Sequence, residues 1–432
     1  MTPTNDATDA HLASLSSLIT ASPSSYHAAA EAARRLDAAG FVGLSETADW
    51  PTGPGRHYVV RDGAIIAWIR PEAATATSPF RIVGAHTDSP SFKLKPSPDT
   101  GTSGWQQAGV EVYGGPLFNS WLDRDLEFAG RLATSDGAIH LVRTGPVLRF
   151  PQLAVHLDRS VNSEGLKLDP QRHLHPIVGV DGPTGGDILA ALAAAAGVDP
   201  ATVTGHDVLV ADTAHPQIIG FDRDLFAAGR MDNLTSVHAG LEALIGSADA
   251  IAAGSVTAVL GAFDHEEVGS ASTSGAAGPF LETVLTRISH GLGASDSERL
   301  RAWAASWHLS SDAGHAVHPN YSERHDPANH PLPNGGPLLK INANQRYASD
   351  ARGAAEWTRA CEQAGVPFQT FVSNNAVPCG STIGPITATR LGIRTIDVGV
   401  ALLSMHSARE LCGVEDPGYL ARAASAFLSP VS

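Results

Sequence analysis

The feature that most constrains the fold is an alternation of helix-like and strand-like patterns, broken once in the middle of the chain and then resumed. Near the start, Leu12, Leu15, Leu18 and Ile19 fall at helical spacing, and a second helical pattern spans residues 25–39 with Gly40 as its stop. Residues 57–70 alternate apolar and polar around Asp62-Gly63, a dipeptide that tolerates the positive φ angles of a tight turn, and so predict a hairpin. A short buried strand is expected at 80–85. From about Ser91 to Phe221 the character changes to short strand-like runs, such as 138–142, with one Ala-rich helix near 187–196. Beyond that stretch a helix is expected at 234–245 and strands at 256–263, 303–309, 338–341 and 395–400. Apolar strands spaced by helices are buried by covering both faces of one sheet, so the pattern predicts an α/β sandwich interrupted by a mostly β insertion.

Charge and cysteine usage narrow the function. Against 29 Lys and Arg stand 44 Asp and Glu, a formal charge of −15 that repels phosphate backbones and anionic lipid heads, so neither nucleic acid nor a membrane surface is an expected partner. The chain's start lacks the basic and apolar run of a signal peptide, and no later stretch is long and apolar enough to span a membrane. Three cysteines, Cys361, Cys379 and Cys412, are too few for a disulfide framework and fit a reducing compartment, so the expected location is cytoplasmic.

The chemistry-bearing residues gather where the expected strands end. Ligand sites in open α/β sheets form at the carboxyl ends of strands, and the strand at 80–85 runs into His86-Thr87-Asp88. There Asp88 can orient His86 as a ligand, or His86 can be a hydrogen-bonded loop residue. The strand at 256–263 runs into Asp264-His265-Glu266-Glu267, where adjacent carboxylates repel unless a cation or proton lies between them; a solvated charge run is the alternative. Asp232 precedes the helical stripe that begins at Leu234 and reads either as its N-cap or as a ligand. Asp312 follows one strand. His406 follows another, just before an expected helix start at Ser407. Together His86, Asp232, Glu267, Asp312 and His406 form the inventory of a two-cation site, in which one Asp bridges and an unliganded Glu stands beside a water. The histidines His315, His318, His325 and His330 lie among prolines and are read as a loop, Asp123, Arg124 and Asp125 as a salt-bridged turn, and Cys379 as structural.

Several runs carry a family resemblance: Gly84-Ala85-His86-Thr87-Asp88-Ser89-Pro90, Asp264-His265-Glu266-Glu267-Val268-Gly269-Ser270, His315-Ala316-Val317-His318-Pro319-Asn320-Tyr321, Asn344-Gln345-Arg346-Tyr347-Ala348, Ser404-Met405-His406-Ser407 and, in the insertion, Ala154-Val155-His156-Leu157-Asp158-Arg159. In this order, over nearly the whole chain, they resemble the aspartyl aminopeptidase family of di-zinc metallopeptidases. The resemblance implies a zinc-exopeptidase-type catalytic domain (1–91 and 222–432) interrupted by a β-rich dimerisation domain (92–221), with dimers assembling into a tetrahedral dodecamer. It further implies two divalent cations per subunit, zinc with manganese or cobalt as alternatives, on His86, Asp232, Glu267, Asp312 and His406, with Asp232 bridging. Glu266 matches the family's base, Asp88 the residue orienting His86, Lys340 and Tyr347 substrate contacts, and His156 a histidine reaching the neighbouring subunit's site. The implied substrates are peptides with a free acidic amino terminus. One departure stands out: Ala376 precedes Val377-Pro378-Cys379-Gly380 where better-known eukaryotic members carry an acidic residue. Two other functions use the same inventory, a di-metal deacylase on the same fold and a non-catalytic assembly protein.

Overall fold

The runs that read as buried strands become the middle of one large sheet. In the computed structural model, which describes residues 6–180 and 187–430, nine strands pair in the order Val42–Gly43, Gly55–Arg61, Ala64–Arg70, Thr257–Phe263, Phe80–His86, Trp307–Ser311, Arg394–Gly399, Leu338–Ile341 and Gln369–Val372. Four of them, from Thr257–Phe263 through Arg394–Gly399 in that order, run parallel. Parallel strands are buried on both faces, which is why these segments read as continuous apolar runs. One face packs on the helices Asp6–Ala21, Ser25–Ala38, Met231–Gly246, Ala351–Ala364 and Asp416–Leu428 through Leu15, Val237, Trp357 and Phe427. The other packs on Phe280–Gly291 and Ile383–Leu391 through Trp68, Phe263 and Phe280. Each such side chain contributes about 1.5–3 kcal/mol on burial, more than any single cap, so the two-sided core sets the architecture.

Local signals hold where they were strongest. The hairpin pairs Gly55–Arg61 with Ala64–Arg70 and turns at Asp62, φ 54°. The second helix is capped by Ser24, whose side chain accepts the His27 N–H, and ends just before Gly40 at φ +80°.

A second sheet is built between Ser91 and Asp212. Its order is Ile139–Arg143, Leu126–Thr134, Val203–Asp212, Ser91–Thr102, Trp105–Tyr113 and Ile177–Val180, all antiparallel. It has its own core, with Phe92, Phe128, Phe150 and Val208 packed against Leu192 of the Ile188–Ala196 helix. The fold class is therefore the expected one, an α/β catalytic region with a β-rich insertion.

Three local expectations need correction. The strand expected at 303–309 is Trp307–Ser311, and Trp303 belongs to the helix Asp296–Ala305, started by a capping box between Ser295 and Glu298. Hydrophobic content alone did not separate the end of that helix from the start of the strand. No helix begins at Ser407. The chain turns there and enters the strand Glu410–Gly413, which pairs with Leu225–Ala228, itself paired with Gln217–Ile219, in a small sheet. Asp232 does not cap its helix: its side chain makes no cap bond, and it and Asn233 have non-helical dihedrals, so the regular turns begin at Leu234.

Candidate metal centre

The parallel strands deliver their polar ends to one place. Phe80–His86 ends in His86, Thr257–Phe263 leads into Asp264 to Glu267, and Trp307–Ser311 leads into Asp312. Asp232 arrives from the first turn of the Met231–Gly246 helix. His406 comes from the turn before Glu410–Gly413, which the small sheet ties to the chain just ahead of Asp232 through the Ala228 and Glu410 pairing. His265 and His406 adopt left-handed backbone, φ 61° and 66°, a conformation that costs an L-residue about 1–2 kcal/mol. Such strain persists where the surroundings over-determine it, as at functional sites.

The two oxygens of Asp232 face two different histidines. Oδ1 lies 3.3 Å from His86 Nε2, and Oδ2 lies 3.4 Å from His406 Nε2. Asp312 Oδ1 is 3.5 Å from His86 Nε2, and Glu267 Oε2 is 3.5 Å from His406 Nε2. Each half therefore holds one histidine and one carboxylate, with Asp232 shared. On the far side of each ring, Nδ1 is satisfied by a carbonyl, that of Asp88 for His86 and that of Gly115 for His406, both at 3.0 Å. A ring that donates from Nδ1 presents a lone pair at Nε2, and in both cases that lone pair points at carboxylate oxygens. Lone pair facing anion is repulsive unless a proton or a cation lies between. Asp232 Oδ1 and Glu267 Oε1 are buried and make no hydrogen bond, and His86, Asp232 and Glu267 offer ligand atoms within 4.8 Å of one another. Nitrogen and oxygen donors in this number suit a borderline divalent metal such as zinc.

Burial and mutual repulsion raise the two glutamates. Burial, then the charge of Asp232, pushes Glu267 well above the usual carboxylate range. Burial raises Glu266 to about 8, helped by Asp312, Asp88 and Asp232 and opposed by His86.

Asp88 meets the His86 ring and also does more than the orienting role expected of it. Its main-chain carbonyl takes the His86 hydrogen bond, while its carboxylate lies 3.4 Å from the same ring nitrogen. The carboxylate accepts the N–H of Glu266 and of Glu267, each at 3.1 Å, and the Tyr113 hydroxyl at 2.8 Å. It thus fixes the turn that carries both glutamates. Tyr113 ends the Trp105–Tyr113 strand, so the insertion reaches the metal centre directly. Glu410 accepts the N–H of Asp232 at 3.0 Å and of His406 at 2.9 Å, holding two of the expected ligands. The sequence reading missed both Tyr113 and Glu410. The only trace of Glu410 was an acid four residues after His406, a weak signal.

A cavity of about 550 Å³ opens over the cluster, lined by His86, Asp232, Glu266, Glu267, Asp312 and His406 together with Lys340 and Tyr347. Lys340 is 1% exposed, so it does not point to solvent at a sheet edge. Its ammonium donates to the Ala313 carbonyl at 2.6 Å and lies 5.3 Å from the Tyr347 ring centre. His315, read as a loop residue, also borders this cavity. His156 is exposed on the insertion and does not line it; Ala376 lies on an exposed turn closed by Asn374. The Asp123 to Asp125 turn is salt-bridged to partners elsewhere, Arg149 and Asp212. The three cysteines are free.

A sheet with a carboxylate and histidine cluster at the carboxyl ends of its parallel strands, under an open cavity, defines a metallohydrolase-type centre. Residues 18–428 match the family described as Aminopeptidase I zinc metalloprotease (M18), and the chain belongs to it. It is 57% identical to the "Probable M18 family aminopeptidase 2" of Streptomyces coelicolor over 97% of this chain and 98% of that one. Its structure superposes on a chain of the "Cryo-EM structure of the Ape4 and Nbr1 complex" with a TM-score of 0.94 and 34% identity, covering 99% of this chain and 88% of that one. The S. cerevisiae mApe1 dodecamer gives a TM-score of 0.87 at 28% identity, covering 99% and 98%. The protein is a zinc-dependent aminopeptidase. Among the described residues no helix is long and apolar enough to cross a membrane.

Proposed function

We propose that the enzyme releases amino-terminal Asp or Glu from peptides. The observation that carries this reading is Lys340, a buried ammonium in the same cavity as the metal cluster, bonded to a carbonyl and with no carboxylate within ion-pair distance among the described residues. A buried charge without a counter-charge is costly, and a substrate carboxylate would supply one. In this reading Lys340 and Tyr347 hold the acidic side chain, and the long-range repulsion of a chain at −15 is overcome locally.

Two divalent cations, zinc with manganese or cobalt as alternatives, would be held by His86 and Asp312 on one side and His406 and Glu267 on the other, with Asp232 between them. When bound, such cations supply an activated water near neutral pH and polarise a peptide carbonyl. Glu266 would take the water's proton and pass it to the leaving amine, as a positioned carboxylate base does. Asp88, through the amides of Glu266 and Glu267, keeps that carboxylate in place. The proposed assembly is a homo-oligomer like the mApe1 dodecamer, with exposed His156 completing the site of a neighbouring subunit.

Lys340→Met tests the specificity. Hydrolysis of Asp and Glu substrates should fall at least about 30-fold, the low end for truncating one partner of a desolvated pair, while Ala and Leu substrates are little changed. Equal losses for both classes would overturn the acidic preference. Blocking the substrate's amine should abolish turnover; a blocked substrate cleaved as well as the free one would mark a deacylase instead.

A further inference from the structure

Near the amino end of Thr257–Phe263, on the neighbouring antiparallel strand Ala64–Arg70 and the Phe280–Gly291 helix, lies a second cavity, of about 250 Å³, that the proposed reaction does not use. Ala258 pairs with Ile69, beside Arg70, whereas Phe263 pairs with His86, so about 17 Å of strand separates this cavity from the metal centre. Two arginines line it. Arg70, 6% exposed, donates to the Gly291 carbonyl at 3.3 Å and to that of Thr52. Arg287 donates to the carbonyls of Glu46, at 2.7 Å, and Ala48, and lies 3.8 Å from the centre of the Trp50 ring. Among the described residues neither guanidinium has a carboxylate within ion-pair distance. Burial, with no acid opposing it, holds Arg70 below its ordinary range.

The plain explanation is that both arginines staple the loop ahead of Gly55 to the Phe280–Gly291 helix. Stapling accounts for four carbonyl bonds, yet each guanidinium has five N–H donors, and carbonyl dipoles do not cancel a full charge withdrawn from water. The chain has 44 acids for 29 Lys and Arg, and among the described residues none offers a carboxylate within ion-pair distance of these two. The remaining polar side chains of the cavity include His57 and His290, which add no negative charge. Trp50 is covered by Trp68, stacked at 5.1 Å, and by Arg287, so no free aromatic face is left to stack a base. What the cavity offers is guanidinium N–H groups in the fork geometry that matches paired anionic oxygens.

We propose that this cavity binds a small oxyanion, bearing carboxylate or phosphate oxygens, between Arg70 and Arg287. Calorimetric titration of the metal-loaded protein with inorganic phosphate and, separately, with succinate tests it and distinguishes the two sources. At least one anion should bind at one site per chain, and Arg287→Met should weaken it at least about 10-fold, because a charged partner is lost. Arg287→Met also loses two carbonyl bonds to the loop, so its affinity is read well below its own melting temperature; Arg70→Lys, which keeps the charge but loses the fork, should weaken the same anion. Lys340→Met, at the other end of the sheet, should leave the affinity unchanged. No heat with either anion up to about 10 mM, where binding free energy is already small, would overturn the proposal. So would equal affinity in wild type and Arg287→Met, or loss of binding in Lys340→Met instead.

Discussion

The two ends of the central parallel strands carry opposite deficits of charge. At the carboxyl ends Asp232, Glu267 and Asp312 converge on two imidazole lone pairs, and the missing partner is a cation. Beside the amino ends Arg70 and Arg287 meet carbonyls and the Trp50 ring, and the missing partner is an anion. The acidic end is also the more heavily braced. Asp88, Tyr113 and Glu410 hold its ligand-bearing segments by hydrogen bonds, as expected where charges of one sign must be kept together. The basic end is held by carbonyl bonds and the Trp50 ring. Unpaired charge marks a site at either end, but bracing around it distinguishes chemistry, which needs fixed geometry, from simple binding.

The largest expected effect breaks the acidic end into its roles. Glu266→Gln should lower turnover about 10²–10⁴-fold, the usual contribution of a positioned base, while two metals per chain remain by elemental analysis. Glu267→Gln should lose metal. Equal metal loss in both variants would refute the division between base and ligand.

A smaller effect tests the bracing. Tyr113→Phe removes the hydroxyl that holds Asp88 and should weaken metal affinity about 10–100-fold, as loss of an outer hydrogen bond to a ligand shell does. Competition with a chelator would measure it. Unchanged affinity would mean that the insertion touches the centre without supporting it.

A third effect comes from histidines buried away from the centre, where burial acts without a site. His308 is buried beside Ile82 and held neutral, its pKa lowered to about 3 by desolvation, and His27 is lowered to about 4 by burial and then by Arg143 and Arg230. In the unfolded chain both titrate near 6.5, so below that pH the unfolded state binds more protons. Their contribution is complete above pH 6.5 and declines as pH falls toward 4, by about 1.4 kcal/mol per pH unit for each group. Melting temperatures of wild type and His308→Gln between pH 6.5 and 4 should show a shallower slope in the variant; parallel slopes would remove His308 from the acid response.

How much was legible in advance depends on distance along the chain. His86, Asp264 to Glu267 and Asp312 could be picked out because each follows an apolar strand within a few residues, and a strand's end is a local property. Residues that a fold brings together from separate segments carried no such mark. Glu410 and Asp232 meet because two short strands pair, and Tyr113 reaches Asp88 because an antiparallel sheet happens to end there. Arg70 and the Gly291 carbonyl are 221 positions apart and share a cavity only through the packing of a helix on the sheet's edge.

The sequence by itself determined the alternating architecture, the β-rich interruption and which residues are candidates to bind cations, since apolar periodicity and residue chemistry are written one position at a time. Only the tertiary structure decided that Asp232 turns its two oxygens to two histidines instead of capping its helix, that the turn carrying His406 leads into a strand and not a helix, and that Lys340 is buried beside the metal cluster. The physical reason is that capping, pairing and exposure are outcomes of competition. A cap or a solvent-facing lysine is worth about 1 kcal/mol, whereas the burial and strand pairing that override it sum over many residues supplied by distant parts of the chain.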